Sequence, residues 1–228
     1  MIKRHDFATA QQDLQTSAEQ SLAEGSYLRI SAPVVKSEPR FKRPLDIVVA
    51  VIGLVLSSPI WLVVGLTILL HRDGTILYRQ QRWGRGGAPF TLYKFRTMVA
   101  HSDRHEIRQA SENDERITNF GRLLRVTGID ELPQLINILK GEMSFVGPRA
   151  LAVGETFPPN GQKTPVPYEE TPFFFSRLSV RPGLTGPATV YLPRDAHPRD
   201  KFEQDLAYIE RQTFWLDVKL ITLSLWIS

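Results

Sequence analysis

The sequence predicts an α/β fold that is mostly helical, with one small β-hairpin, in a single domain held at a membrane. Three features carry that expectation. Ile47 to Leu70, IVVAVIGLVLSSPIWLVVGLTILL, contains no charged residue. TILYRQ and PFTLYKF alternate apolar and polar residues around a glycine-rich RWGRGG, the pattern of a hairpin with a long loop. Arg116–Val126, Glu131–Lys140 and the segment from Lys201 onward read as helices.

A chain of 228 residues holds one sizeable core plus appendages. Apolar residues make up 42% and charged residues 23%, which excludes a wholly disordered chain. The net charge of +4 suits anionic partners such as phosphates or a lipid surface. With no cysteine, disulfides, thiolate chemistry and zinc–thiolate sites are excluded. The cations are not interleaved with an exposed aromatic platform, so no nucleic-acid partner is expected.

Residues 1 to about 40 are polar with mixed charge signs, and a flexible extension is expected there. The apolar run that follows would be roughly 36 Å long as one helix, enough to cross a bilayer core of about 30 Å. Ser57, Ser58 and Pro59 lie at its middle, where proline removes a backbone hydrogen bond. Lys42 and Arg43 precede it; His71 and Arg72 follow it. Cations at both ends satisfy the positive-inside rule best if both ends stay on one side. A helix broken at Ser-Pro, entering and leaving by the same face, would do that, with serine hydroxyls satisfying the freed carbonyls. From these residues alone a plain span stays equally open.

The hairpin places Lys94 and Arg96 near the end of its second run. Neither GxGxxG nor GxxxxGK[ST] occurs, so the dinucleotide-fold and P-loop readings lack support. His101 and His105 lie four apart without an HExxH, and a solvated pair is expected.

The densest chemistry lies in RITNFGRLLRVTGIDELPQLINILKGEMSFVGPR. Asp130 and Glu131 are adjacent carboxylates, and Arg116, Arg122, Arg125 and Arg149 surround them in sequence. Adjacent carboxylates that both stay ionised need cations nearby, either arginines or a metal. Arginine also matches phosphate oxygens best. The alternative is that Asp130 merely caps the following helix, with Glu131 at its positive end. Both readings stand at this point. Further on, the proline-rich TFPPNGQKTPVPYEETPFFF reads as a surface loop or membrane-proximal flap. Phe173, Phe174 and Phe175 fit an interface or the core. Arg177 and Arg181 add two cations, and Pro182-Gly183 with Gly186-Pro187 predicts a rigid double turn. The C-terminal FWLDVKLITLSLWIS, with Trp215 and Trp226, fits an amphipathic helix at the lipid interface or a core-packing helix.

Taken together, YRQQRWGRGGAPFTLYKFRTM, the DE-containing stretch and RPGLTG, after a Ser-Pro-interrupted apolar helix, resemble the bacterial sugar transferases. These are the monotopic polyprenol-phosphate phosphoglycosyl transferases, and the resemblance runs from about Lys42 to the C-terminus. It implies transfer of sugar-1-phosphate from a nucleotide-diphosphate sugar, usually a UDP-sugar, to undecaprenyl phosphate, with release of UMP. It implies work at the cytoplasmic face of the bacterial inner membrane, against membrane lipid, in the first membrane step of polysaccharide or glycoconjugate assembly. Asp130 would be the nucleophile that holds a covalent phospho-sugar, and Glu131 would help hold Mg²⁺. Ser58 and Pro59 would mark the re-entrant break. Lys94, Arg122 or Arg125, and Arg149 match active-site positions of the family, while Arg96, Arg177 and Arg181 join them as phosphate-binding candidates. The division implied is an extension over 1–41, a re-entrant helix over 42–72 and a catalytic domain over 73–228. A homodimer is neither implied nor excluded. Ala150 stands where the family often has proline, PATVYLPRD departs from its usual sequence after the PGLTG turn, and the loop at 157–172 reads as an insertion. The sugar is therefore not inferable from relatives.

Overall fold

The helix α1 (Lys42–Leu70) runs without interruption through Pro59. That corrects the expected break at Ser-Pro, and the reason is local. Pro59 has no N–H for the carbonyl of Val55, and Ser58 Oγ donates to that carbonyl instead, at 2.8 Å. The computed structural model that gives these contacts describes residues 37–70, 75–99, 114–157, 165–193 and 196–227. Residues 1–36 of the N-terminal extension, the pair His101 and His105, and the centre of the proline-rich loop lie outside the described residues, while Glu38, still within the expected extension, is packed against Arg181.

One face of α1 is buried through Lys42, Asp46, Ala50, Ser57, Val64, Gly65 and Ile68. The other exposes Val48, Val55, Leu56, Leu62, Val63 and Leu66. Both halves of the buried face pack on the same body. In the first half, Ala50 joins Leu135 and Ile138 of α3 (Gln134–Lys140) in the largest core cluster. Arg43 reaches the end of α3, donating to the last-turn carbonyls Ile138 O at 2.5 Å and Leu139 O at 2.6 Å. In the second half, Val64 and Ile68 pack with Phe95 and Leu124, and Trp61 meets the Phe95 ring edge-on at 5.0 Å.

The start of α1 is fastened by buried charge. Lys42 Nζ donates to Asp217 Oδ2 at 2.6 Å, Val146 O at 2.8 Å and Tyr208 OH at 2.9 Å. Asp46 Oδ1 accepts from Ser144 Oγ at 2.9 Å and Phe145 N at 3.0 Å. Arg181 closes the cluster, paired with Glu38 and lying 3.7 Å from Asp46 Oδ2.

The hairpin forms as expected, from β1 (Leu77–Trp83) and β2 (Pro89–Phe95), antiparallel with Tyr78 opposite Lys94 and Arg82 opposite Phe90. Its loop is tight, because Gly86 and Gly87 take positive φ, 72° and 77°. The helix expected from Arg116 starts later, as α2 (Asn119–Val126), with Thr118 Oγ1 accepting from Gly121 N. Ile117 is instead bridged to Met98.

Two short pairings escaped the sequence. β3 (Ser144–Val146) runs parallel to β6 (Gly183–Thr185), so half of the expected double turn is a strand. These chains cross too closely for side chains: a Cβ on Gly147 would overlap the Arg181 carbonyl, and one on Gly183 the Gly147 amide. In the proline-rich region, β4 (Thr156–Phe157) pairs with β5 (Val166–Pro167). Phe174, on α4 (Phe174–Arg177), is buried with Leu151, Tyr168 and Phe202, which decides for the core over an interface. The chain ends in α5 (Pro187–Tyr191), α6 (Pro198–Arg211) and α7 (Phe214–Ile227). On α7, Asp217 and Leu220 are buried while Trp215, Leu225 and Trp226 are exposed.

Candidate active site

Asp130 and Glu131 sit on a 3-10 turn, Ile129–Glu131, wedged between α2 and α3. Gly128, at φ 67°, makes the left-handed step that separates α2 from this turn. Asp130 does not cap α3: that helix starts at Gln134, after Pro133, with no side-chain cap. The capping alternative therefore falls, and the two carboxylates need another account.

Lys94, at the end of β2, supplies the local charge. Its Nζ lies 2.5 Å from Glu131 Oε1 and 3.7 Å from Asp130 Oδ2, so one ammonium faces both carboxylates. The pair is unequal. The Asp130 side chain is 8% exposed, whereas that of Glu131 is 35% exposed. Burial pushes the Asp130 carboxyl above its ordinary range, and the neighbouring Glu131 charge adds to that against the pull of Lys94 and Arg125. For Glu131, partial burial opposes ionisation, but the Lys94 ammonium, with Arg149 and Arg82 behind it, holds the carboxyl below its ordinary range. Two adjacent carboxylates thus have separated acidities, the pattern expected where one serves as a poised nucleophile or base and the other stays an anion.

The remaining candidates divide into two groups. Arg125, half-buried on α2, is steered by a bond from its Nε to Thr97 Oγ1 at 2.9 Å and acts electrostatically on Asp130. Arg149 is exposed and acts on Glu131; its backbone bridges to Gly183, so the tight β3–β6 crossing fixes its place. Arg122 is exposed on α2. The structure does not bring the others to the carboxylates. Arg177 is buried, its Nε donating to Asp205 Oδ2 at 2.8 Å and its guanidinium stacked 4.1 Å from the Phe202 ring. Arg181 belongs to the cluster that fastens α1. Arg96 donates to Thr75 Oγ1 on the side of the hairpin nearer α1. Arg116 is held by Asp114.

Arg82 is a residue the sequence did not single out. On the same face of the hairpin as Lys94, it donates to Ala150 O and to Gln80 Oε1, both at 2.6 Å, and acts electrostatically on Glu131. The alternation of β1 could have flagged it, since Arg82 and Lys94 fall on one face once the register is known.

Residues 37–228 match the family described as bacterial sugar transferase. The chain belongs to that family. Among its relatives, a UDP-glucose:undecaprenyl-phosphate glucose-1-phosphate transferase of Caulobacter vibrioides is 39% identical over 79% of this chain and 66% of its own. A UDP-N-acetylgalactosamine-undecaprenyl-phosphate N-acetylgalactosaminephosphotransferase of Aeromonas hydrophila is 39% identical over 79% of this chain and 41% of its own. The chain therefore spans between about two fifths and two thirds of these two bacterial sugar transferases. The exopolysaccharide production protein PSS of Rhizobium leguminosarum is 37% identical over 79% of this chain and 90% of its own.

Proposed function

We propose that this bacterial sugar transferase moves sugar-1-phosphate from a UDP-sugar to undecaprenyl phosphate, through a covalent intermediate on Asp130. The observation that carries the reading is the unequal carboxylate pair under Lys94. In the first step an ionised Asp130 oxygen attacks the phosphorus that bears the sugar. The bond from that phosphorus to the UMP oxygen breaks, and UMP leaves with the electron pair. In the second step an oxygen of the lipid phosphate attacks the same phosphorus and expels the Asp130 carboxylate, giving a polyprenyl diphosphate sugar. A carboxylate is a weak nucleophile, and burial that raises its basicity strengthens it.

The obstacle is repulsion, because each like-charge contact near 4 Å costs about 4 kcal/mol at an effective dielectric of 20. Lys94, Arg125 and Arg149 answer it at the two carboxylates, with Arg82 behind. Among the described residues no three acidic or histidine side chains converge so as to hold a metal ion by themselves. One or two carboxylates completed by substrate phosphates are what Mg²⁺ takes, and Glu131, the more exposed of the pair, fits that donor set. When bound there, Mg²⁺ would neutralise diphosphate charge.

We read α1 as monotopic. It is long and apolar enough to cross a membrane, and only 17% of its most apolar window is buried. Yet both halves pack on the same domain, which suits a helix that dips into one leaflet and stays with its domain. Lys42 and Arg43 at its domain end suit the cytoplasmic face of the inner membrane, and exposed Trp215 and Trp226 suit an interfacial α7. Nucleotide release tests the reaction, using the purified chain, undecaprenyl phosphate, Mg²⁺ and a panel of UDP-sugars. UMP is expected from one or two sugars and none from Asp130→Asn; UDP as product would make it ordinary glycosyl transfer.

A further inference from the structure

Arg177 stands outside the carboxylate site, yet its guanidinium reaches the backbone of a residue that acts on that site. Its Nη2 donates to Arg149 O at 2.9 Å, while its Nε is held by Asp205. The carbonyls on either side are claimed as well. Pro148 O accepts from Gly183 N at 2.9 Å, Ala150 O from Arg82 Nη1 at 2.6 Å and Leu151 O from Trp83 N at 2.9 Å. Every carbonyl from Pro148 to Leu151 is thus gripped, from β6, α4 and β1 in turn. Within this gripped backbone Arg149 is exposed, whereas Pro148, Ala150 and Leu151 are buried. The Arg149 charge is felt by Glu131 on one side and by Asp205 on the other.

Stability does not account for the Arg177–Asp205 pair. The two side chains are 2% and 1% exposed, and replacing such a pair by apolar residues of similar volume is often neutral or stabilising. What an apolar pair would lack is a donor for Arg149 O. A long exposed arginine gives up rotamer freedom when it takes a phosphate, and a mobile backbone adds to that cost. Carbonyls already held on both sides remove the backbone share in advance. We propose that Arg177 is a positioning residue for the donor's diphosphate: it fixes the Arg149 backbone so that the Arg149 guanidinium meets the phosphates, and Asp205 orients Arg177. The assignment rests on the reaction proposed above and deepens it. Arg82 grips the next carbonyl in the same way, but it also acts on Glu131 directly, so Arg177 gives the cleaner test.

Binding of radiolabelled UDP, as the diphosphate probe, to the chain in phosphatidylcholine nanodiscs with Mg²⁺ tests this. Arg149→Met is expected to weaken binding about tenfold, the loss of one charge-assisted contact. Arg177→Met combined with Asp205→Leu replaces the pair by apolar side chains, and about fivefold weaker binding is expected with thermal unfolding close to wild type. A merely structural pair would leave binding by that folded variant unchanged. Added to Arg149→Met, the same two substitutions should cost less than about twofold more, because the residue they act through is gone. Losses that multiply, or unchanged binding in the pair variant, would overturn the role. If the pair variant misfolds, Arg177→Lys decides: lysine keeps the charge beside Asp205 but lacks the fork that also reaches Arg149 O, so the same pattern is expected. A wild type that binds no UDP sinks the proposed reaction and the positioning role with it. UDP bound by wild type, with losses that multiply, sinks the positioning role alone.

Discussion

Lys42 and Lys94 are both lysines held against carboxylates, yet their surroundings differ in kind. The Lys42 side chain is 2% exposed, and its three donors meet three acceptors: a carboxylate, a hydroxyl and a carbonyl. The Lys94 side chain is 24% exposed and stands over two carboxylates that it serves unequally. The first cluster is closed and has no use for a ligand. The second is open to solvent, with Arg125 and Arg149 acting on the same carboxylates, at the point where phosphates would bring more negative charge. Counting cations in the sequence does not separate the two; the partners around each one do.

The sharpest way to break that contrast is Asp130→Asn. Activity is expected to fall on the order of 10⁴-fold or more, measured as UMP release, with thermal unfolding in detergent no worse than wild type. Stability should hold because burial already disfavours the Asp130 charge. A carboxyl whose folded pKa is raised binds more protons in the folded state, so its contribution to stability declines as pH rises from its ordinary value of 3.8 to the folded value. Asparagine removes that decline. Glu131, held below its ordinary value of 4.5, works the other way: its contribution is present above 4.5 and is lost as pH falls through the lowered value.

Lys42→Ala should do the reverse of Asp130→Asn. It leaves Asp217 buried without its ammonium, a loss of about 3–5 kcal/mol, read from urea unfolding in micelles. Lys94→Met is expected to lower kcat/KM by about 10²–10³-fold with little change in stability. Because Lys94 lowers both carboxyl pKa values, its loss should also move the acid limb of the pH–rate profile upward. An unmoved limb would separate Lys94 from the ionisation of Asp130. The smallest effect belongs to Ser58→Ala, which strips the Val55 carbonyl of the donor that replaces Pro59; about 1 kcal/mol is expected, seen as a modest drop in thermal midpoint.

The hairpin, the apolar helix and the DE turn were legible because their signals are local: alternation, absence of charge, and two adjacent acids among arginines. The fates of Arg177 and Arg181 were not. Each is claimed by a carboxylate distant in sequence, Asp205 and Glu38, and nothing near either arginine announces it. The β3–β6 pairing was hidden for the same reason, since three-residue strands carry too few positions for a period to emerge. Pro59 misled in a different way. The sequence shows the hydrogen bond a proline removes, but only the rotamer of Ser58 reveals that the loss is made good.

The backbone crossing at Gly147 and Gly183 has a consequence for genetics. It carries the chain toward Arg149 through a passage that admits no side chain, and a Cβ on Gly186 would strike the Gly147 carbonyl there as well. In a random missense screen these glycines should score as inactive beside Asp130, although none of them contacts either carboxylate. Immunoblots of the membrane fraction would tell the classes apart, with glycine variants depleted by proteolysis and Asp130 variants accumulating at wild-type abundance.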